Sequence, residues 1–290
     1  MLHTCFTVDI LIPLFSIRDP ESWGVRLSYL LPPPRTILGA LARGLGRVLG
    51  FCSGEETVRG LAVREILTFA LESSTFATVR PLTPIIRHPQ LLRIVPAIEE
   101  GEQPIDPTRA HDAFKHDILF TNRLRLIFTP NLKQLNLVLQ EHAISAVQES
   151  DLLASMQLLE RIGNTESFCS PQRQRQLKAA KADTNVVNTY SPLQWIEPNI
   201  SNGIISPLLV NLRLLETFSD SDYIKRKDEG VGLVRDPQIR RKKAMFCLPL
   251  STKTSQRGRE LLTPAEVVVE PKPGYAIYAL ADGTSMVLPW

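Results

Sequence analysis

Three consecutive prolines, Pro32 to Pro34, constrain this chain more than any other feature of its sequence. Each proline fixes φ at about −65° and removes a backbone N–H donor, so the run is extended and stiff. Apolar residues then recur at helical spacing: Ile37, Leu38, Leu41, Leu45, Val48 and Leu49. Because proline is well tolerated at the start of a helix, the pattern predicts a helix that follows the proline run directly.

The predicted helix is unusually rich in small residues, which are Gly39, Ala40, Ala42, Gly44 and Gly46. Glycine costs a helix about 1 kcal/mol relative to alanine, so these glycines indicate that another backbone or a ligand comes close. The N–H groups at the helix start, with Arg35 and Thr36 beside them, form a natural cradle for a phosphate or another anion. The alternative is a buried helix with an ordinary rigid entry, and residue chemistry alone favours it.

A second short motif, R-I-G-N-T-E-S, occupies Arg161 to Ser167. It follows a predicted helix whose apolar residues run from Leu152 to Ile162. Gly163 stands where helices commonly end in a left-handed glycine. The motif is therefore predicted to form the turn that leaves this helix.

Both motifs resemble signatures of the CRISPR-associated Cas-five family, a branch of the repeat-associated RNA-binding (RAMP) superfamily. The first signature is Y-x-x-P-P-P-x-T-x-x-G-A-L-A after a strand, matched here by Tyr29, Pro32 to Pro34, Thr36 and Gly39 to Ala42. The second is R-I-G-x-x-E-S, matched by Arg161 to Ser167. The resemblance covers roughly the first 170 residues, is loose beyond them, and is strongest to the archaeal type I-A form.

The resemblance implies an α+β fold: a ferredoxin-like or RRM-like βαββαβ palm with an inserted thumb β-hairpin. The palm would span residues 1–170. Residues 171–290 contain short β-like runs punctuated by turns, and we expect them to form a smaller β-rich C-terminal lobe packed on the palm.

The segment from Thr83 to Thr121 has several prolines, mixed charge and no sustained period. A stretch of this length in a compact domain is normally functional or disordered. Its two ends, IIRHPQLLRI and AFKHDILF, are apolar enough to be the arms of a long hairpin. The resemblance identifies this hairpin as the thumb, between about Ile85 and Phe120.

Positive charge is concentrated in three places. In RLRLIF, which spans Arg123 to Phe128, apolar residues alternate with Arg123 and Arg125, which predicts a strand with one apolar face and one exposed basic face that suits RNA. Gln172 to Lys181 and Arg240 to Lys243 lack apolar periodicity and are predicted to be loops that meet a phosphate backbone. The alternatives are charge protection of an edge strand for the first and ordinary solvated surface for the other two.

Length, composition and net charge indicate which general class of protein this is. With 290 residues, 43% hydrophobic residues and a net charge of +3, the chain suits an ordinary globular protein. No apolar run reaches the ~18 residues of a membrane span, and the N-terminus lacks a basic region and a cleavage site, so we expect a cytoplasmic protein without membrane contact.

The four cysteines, Cys5, Cys52, Cys169 and Cys247, are too scattered to predict disulfides or a zinc site. The sequence has no glycine-rich nucleotide-binding loop, and we expect no metal and no cofactor.

The resemblance implies a noncatalytic subunit of a type I CRISPR surveillance complex (Cascade), acting in antiviral defence. Such a subunit binds guide RNA (crRNA), caps its 5′ tag and contacts the first backbone subunit. The large and small subunits, helicase-nuclease subunits and target DNA are the other partners it suggests. The implied RNA contacts are Arg35, Thr36, Arg87, His88, Arg93, Lys115, His116, Arg123, Arg125, Asn164 and Ser167. The helix start and the turn would offer N–H groups to phosphates, and the hairpin and strand would hold the sugar–phosphate chain.

Two alternative functions stay open. One branch of the family cleaves precursor guide RNA without a metal, and His111, Lys115 and His116 are the candidates for the acid and base here. No sequence signature separates such a catalytic set from ordinary contacts, so a binding role is favoured. The third possibility is a scaffold that touches only partner proteins.

Overall fold

The computed structural model describes residues 3–19, 25–51, 56–58, 61–94, 112–163, 167–210, 224–226, 233–235, 242–254 and 260–289. The helices are α1 (Pro34–Val48), α2 (Val63–Ser74), α3 (Leu132–Glu141) and α4 (Glu149–Gln157), with a 3₁₀ turn at Leu193–Trp195. The strands are β1 (His3–Leu11), β2 (Leu14–Phe15), β3 (Val25–Arg26), β4 (Thr57–Val58), β5 (Leu61–Ala62), β6 (Thr75–Pro81), β7 (Ile85–Ile94), β8 (Asp112–Phe120), β9 (Arg123–Pro130), β10 (Ser170–Lys181), β11 (Val186–Val187), β12 (Ser191–Pro192), β13 (Ile204–Leu209), β14 (Ile224–Arg226), β15 (Leu233–Arg235), β16 (Lys243–Leu248), β17 (Leu250–Thr254), β18 (Glu260–Pro264), β19 (Val267–Val268), β20 (Tyr275–Ala279) and β21 (Ser285–Pro289). The predicted α+β class is confirmed. Within these ranges, no helix has both the length and the apolarity to cross a bilayer.

Six of the described strands form the main sheet, in the order β21-β20-β10-β1-β9-β6 and with antiparallel pairing throughout. Along the chain, α1 and α2 lie between β1 and β6, and α3 and α4 lie between β9 and β10. Phe6 and Phe128, on neighbouring strands, line one apolar region with Leu41, Leu71 and Met156 of the helices. The helices therefore cover one face of the sheet, and a large part of the core lies between the two layers.

Helix α1 confirms the helix predicted after the proline run. Pro34 is its first residue, and the apolar residues at helical spacing from Ile37 to Leu45 are buried. Gly44 faces α4 so closely that a Cβ atom there would lie 2.3 Å from the carbonyl oxygen of Ser155. A side chain at this position would collide with backbone, so the glycine is what lets α1 and α4 pack together. The prediction that a small residue admits another backbone is confirmed at Gly44.

A second sheet is built around a long hairpin, which we define as β7 and β8. The two strands pair from Ile86 with Phe120 to Ile94 with Asp112, so the predicted hairpin arms are confirmed. The sheet has the order β17-β18-β7-β8-β2, and β3 lies parallel to β8. Strand β2 of this sheet follows β1 of the main sheet after a gap of two residues, so the chain passes directly from one sheet into the other.

Residues beyond 170 extend both sheets. Strand β10 pairs with β1, and β20 and β21 continue the main sheet beyond β10. Strands β17 and β18 continue the hairpin sheet beyond β7. The other strands of this half form smaller groups, such as β12-β16-β13. The described C-terminal residues are β-rich, as predicted, and the domain boundary at residue 170 stays a prediction.

Two local predictions, one on each side of residue 170, are wrong. Gln172 to Lys181 was expected to be a loop, but it lies within β10, because β1 offers its backbone a partner along almost its whole length. The second error concerns the end of the helix before the R-I-G-N-T-E-S motif. Helix α4 ends at Gln157, and Gly163, with φ of +102°, lies in a separate turn several residues later.

The cysteines in the described residues are free thiols. Cys5 and Cys247 are buried, as expected for small core residues, and Cys169 is partly buried. Burial raises the pKa of Cys5 and of Cys247 to about 11 and that of Cys169 to about 12. These thiols are therefore protonated at neutral pH. Cys52 lies outside the described residues.

Candidate nucleic-acid interface

The start of α1, the predicted anion cradle, lies in the interior. Arg35 is only 7% exposed, and its Nε lies 3.3 Å from Oε1 of Glu72, a fully buried residue of α2. The N–H groups of Thr36 and Ile37 both donate to the carbonyl oxygen of Pro33. Arg35 and the half-buried Thr36 are therefore engaged in holding α1 in place.

The R-I-G-N-T-E-S motif forms a turn that is closed by a hydrogen bond from the N–H of Ile162 to the carbonyl oxygen of Ser167. Ser167 is fully buried, and its Oγ accepts a hydrogen bond from the N–H of Ser16 at 3.1 Å. A Cβ atom on Gly163 would lie 2.5 Å from the side chain of Ile17. The turn is thus packed tightly against residues 16 and 17. Asn164 lies outside the described residues.

His116 also contacts Ser16. Its Nε2 and Ser16 Oγ share a hydrogen bond of 2.7 Å, and the histidine is 5% exposed. Ser16 therefore joins two predicted RNA contacts, Ser167 and His116, in one buried polar chain. In this arrangement the two side chains anchor the turn and the long hairpin to each other.

We expect His116→Ala to lower the free energy of unfolding by about 1–3 kcal/mol, because Ser16 Oγ would lose this partner in the interior. Chemical denaturation measures the change. His88→Ala is the matched control, since His88 lies on the same hairpin and is exposed, and its expected effect is below about 0.5 kcal/mol. Equal losses for the two variants would contradict the anchoring role of His116.

The remaining hairpin residues are placed as follows. Arg87 donates to Asp117 Oδ2 from Nη2 at 2.7 Å and from Nε at 3.1 Å, and its Nη1 lies 3.5 Å from Glu260. His88 is exposed, with its ring 6.3 Å from that of Phe120. For Arg93 and Lys115 the structure describes the backbone only, and His111 lies outside the described residues.

The main sheet brings arginines together on the face opposite the helices. Arg80, Arg125 and Arg173 lie in one row across β6, β9, β1 and β10, with Asp9 as the β1 member of the row. Strand alternation places two further arginines on the same face, Arg123 on β9 and Arg175 on β10. We call Arg80, Arg123, Arg125, Arg173 and Arg175 the arginine strip. Cross-strand neighbours are about 5 Å apart, so the strip is compact.

Two aspartates hold the centre of the strip. Arg125 forms ion pairs with Asp9 at 2.5 Å and with Asp282 at 2.8 Å, and Arg175 lies 3.8 Å from Asp282. The hydrogen bond to Asp9 raises the pKa of Arg125, whereas burial and the neighbouring Arg125 lower the pKa of Arg80. Within the described residues, these aspartates are the carboxylates at ion-pair distance from the strip, so arginines outnumber them. The strip therefore carries surplus positive charge.

The two faces predicted for the RLRLIF strand are observed only in part. Leu124, Leu126 and Phe128 are buried and Arg123 is exposed, as predicted. Arg125 is 8% exposed, so its predicted exposure is wrong. The reason is tertiary: Asp282 and Thr284, from the turn between β20 and β21, cover Arg125 and accept hydrogen bonds from its Nη1.

Sequence reasoning missed Arg80, Arg173 and Arg175 as individual site residues. A signal for two of them was present, because Arg173 and Arg175 are separated by one residue, the spacing that puts two side chains on one face of a strand. Arg173 is exposed and pairs with Asp9 of β1, which pairs on its other side with Arg125. Arg80 carries no comparable signal, since only the pairing of β6 with β9 brings it into the row.

The arginine strip lies at the foot of the long hairpin. Arg123 begins β9 directly after the hairpin, and its N–H donates to Thr83 Oγ1, on the other side of the hairpin foot, at 2.8 Å. Guanidinium groups bind phosphate oxygens in a bidentate manner, so a compact arginine strip suits a phosphate backbone. Among the described residues, no group of three or more His, Cys, Asp and Glu side chains could hold a metal ion.

Comparison with known proteins gives a likeness of fold. Neither the family models nor the curated proteins include a match to this sequence. The structure is similar to the crystal structure of a CRISPR protein from Archaeoglobus fulgidus, with a TM-score of 0.50 and 17% sequence identity over 99% of both chains. Weaker likenesses are to a chain of a CRISPR RNA-guided surveillance complex (TM-score 0.34, 11% identity, 97% of this chain and 92% of that chain) and to a chain of type III-B Cmr-beta bound to cognate target RNA and AMPPnP (TM-score 0.38, 10% identity, 91% of this chain and 86% of that chain).

Proposed function

We propose that this chain is a CRISPR-associated subunit that binds guide RNA without cleaving it. The observation that carries the proposal is the arginine strip at the foot of the long hairpin. Arg123 and Arg173 are exposed there, and Arg175 has a quarter of its side chain exposed. RNA phosphates can reach all three, and contacts of this kind position a nucleic acid without reading its sequence.

The topology supports a RAMP-type protein. Strands β1, β6, β9 and β10 succeed one another with helices between the first two and the last two, and they lie in the sheet order β10-β1-β9-β6. We infer that they form a ferredoxin-like βαββαβ palm and that the long hairpin is its thumb. The shared fold of the Archaeoglobus CRISPR protein supports a role in CRISPR defence, and the two sequence signatures support the Cas-five family of type I complexes.

In the proposed mechanism, the phosphates of the 5′ tag of the guide RNA lie along the arginine strip. The long hairpin, with His88 exposed beside Phe120, would extend along the emerging strand and contact the first backbone subunit. Base pairing with the guide would read the target, so the protein itself needs only shape and charge. The large and small subunits, helicase-nuclease subunits and target DNA are the further partners that this placement suggests.

The placement of His116 supports binding without turnover. A general base in RNA cleavage has to come within hydrogen-bond reach of a 2′-hydroxyl. His116 is buried and shares its Nε2 with Ser16, so it is better suited to anchor the hairpin than to meet RNA. The catalytic alternative with Lys115 and His111 is tested by the same assay as the binding role.

The test uses the full chain with three labelled RNAs: a guide RNA with its repeat-derived 5′ tag, the same RNA without the tag, and an unprocessed repeat RNA. We expect tight, salt-sensitive binding of the tagged guide, weaker binding of the untagged one, and intact repeat RNA after incubation in EDTA. Clean cleavage that is lost on His116→Ala would replace the proposal with the endoribonuclease. Absence of binding to all three RNAs would favour a protein scaffold.

A further inference from the structure

Phe168 is the most exposed large apolar side chain in the described part of the chain, with 55% of its surface accessible. It follows the R-I-G-N-T-E-S turn directly. A single exposed apolar side chain is ordinary on a protein surface, so what Phe168 can bind depends on how its ring is held and on what surrounds it.

The backbone around Phe168 is rigidly held. Phe168 forms an antiparallel bridge with Arg161, and the N–H of Cys169 donates to the carbonyl oxygen of Glu160 at 2.8 Å. The preceding residue, Ser167, is the buried serine that binds Ser16. The ring therefore projects from a short ladder that is anchored in the core.

One face of the ring is already occupied. The guanidinium carbon of Arg161 lies 4.4 Å from the ring centroid, which is the geometry of a cation–π contact. With this face covered and more than half of the side chain exposed, the opposite face is the one that is open to a ligand. A flat, rigid, one-sided aromatic surface is what an unpaired base stacks on.

The surroundings carry positive charge. Arg47 makes a bidentate contact with Glu160, and Arg43, half exposed, lies 3.7 Å from the same carboxylate. The hydrogen bond from Arg47 lowers the pKa of Glu160, which is therefore ionised at neutral pH. Among the described residues here, Arg43, Arg47 and Arg161 outnumber this carboxylate, which suits a ring that binds the base of an anionic polymer.

We propose that Phe168, backed by Arg161, is a stacking platform for one unpaired base of the bound RNA. The inference rests on the proposed function and adds to it a site for a nucleobase, away from the phosphate contacts of the arginine strip. A protein partner fits less well, because Arg161 covers one face of the ring and Glu160, next to Arg161 in the chain, binds Arg47, so charged groups lie close to Phe168 in the described structure.

The test is a double-mutant cycle between the ring and a base. Wild type and Phe168→Ala are titrated with tagged guide RNAs that each lack one base, an abasic site being placed at every tag position in turn. We expect one abasic position to weaken binding to wild type about tenfold and to leave binding to Phe168→Ala unchanged, because the variant has already lost the stacking contact. Phe168→Trp should keep the sensitivity of wild type.

The possible results separate a failure of the stacking platform from a failure of the proposed function. Leu137→Ala, which removes an exposed apolar side chain from α3, is the control and should behave as wild type. If wild type binds tagged RNA but every abasic position acts equally on wild type and Phe168→Ala, the platform is wrong and the proposed function stands. Normal RNA binding by Phe168→Ala combined with failed assembly on the backbone subunit would show a protein contact instead. If wild type binds no RNA, the proposed function itself fails.

Discussion

Reversing the charges of Arg123 and Arg173 together should weaken binding of tagged guide RNA about 100-fold, because two charge-assisted contacts of about 1.5 kcal/mol each are lost. Both residues are exposed members of the arginine strip, on β9 and β10. Neither lies in the core, so Arg123→Glu with Arg173→Glu should leave the fold intact. Fluorescence anisotropy with a labelled RNA at physiological salt measures the affinity, and a thermal melt checks the fold.

A matched pair of substitutions controls for net charge. Arg64→Glu with Lys133→Glu makes the same change in charge at two exposed positions on α2 and α3, on the helical side of the main sheet. We expect this pair to weaken binding several-fold at most, since it alters only the distant field. Equal losses for both pairs would show that total charge, and not the arginine strip, determines the affinity.

Salt dependence separates direct phosphate contact from a general field. The logarithm of the association constant falls with the logarithm of salt concentration by about 0.7 per neutralised phosphate of a single strand. Loss of two contacts should therefore reduce the slope by about 1.4 for the Arg123 and Arg173 pair. An unchanged slope would place the RNA elsewhere on the molecule.

The sequence was a good guide wherever local chemistry determined the structure. Three prolines and a helical apolar period were enough to place α1, and the glycine content anticipated the close contact at Gly44. The two apolar arms of the segment after Thr83 were enough to place β7 and β8. In each case the signal lies within about 40 residues and depends on backbone geometry or on the burial of one face.

Side-chain exposure was predicted less well, because it depends on segments that are distant in sequence. Arg35 is buried against Glu72 of another helix, and Arg125 is covered by a turn that carries Asp282. Neither partner can be recognised from the spacing around the arginine. The polar strand β10 was missed for a related reason: it has no apolar periodicity, and the strand that pairs with its backbone, β1, lies at the other end of the palm sequence.

The arginine strip also contains a buried ionic group in the main sheet. Arg125 is paired with Asp9 and Asp282, and all three side chains are at least four-fifths buried. Removing one member of a buried ionic group leaves the others without compensation, which commonly costs about 3–5 kcal/mol. Because whole domains are stable by only about 5–15 kcal/mol, this single change should have a large effect.

We therefore expect Arg125→Met to lower the free energy of unfolding by about 3 kcal/mol or more, measured by chemical denaturation. Methionine keeps much of the packing of the arginine stem, so the loss reports mainly on charge. Arg123→Met, on the same strand but exposed, is the matched control and should change stability by less than about 0.5 kcal/mol.

A rescue experiment tests whether unpaired charge causes the loss of stability in Arg125→Met. Adding Asp9→Asn and Asp282→Asn to Arg125→Met removes the two carboxylates that the first change leaves unpaired, and most of the lost stability should return. If the triple variant is no more stable than Arg125→Met, the loss came from packing instead of charge. In that case side-chain packing, and not the ion pairs with the two aspartates, would hold the strip in shape.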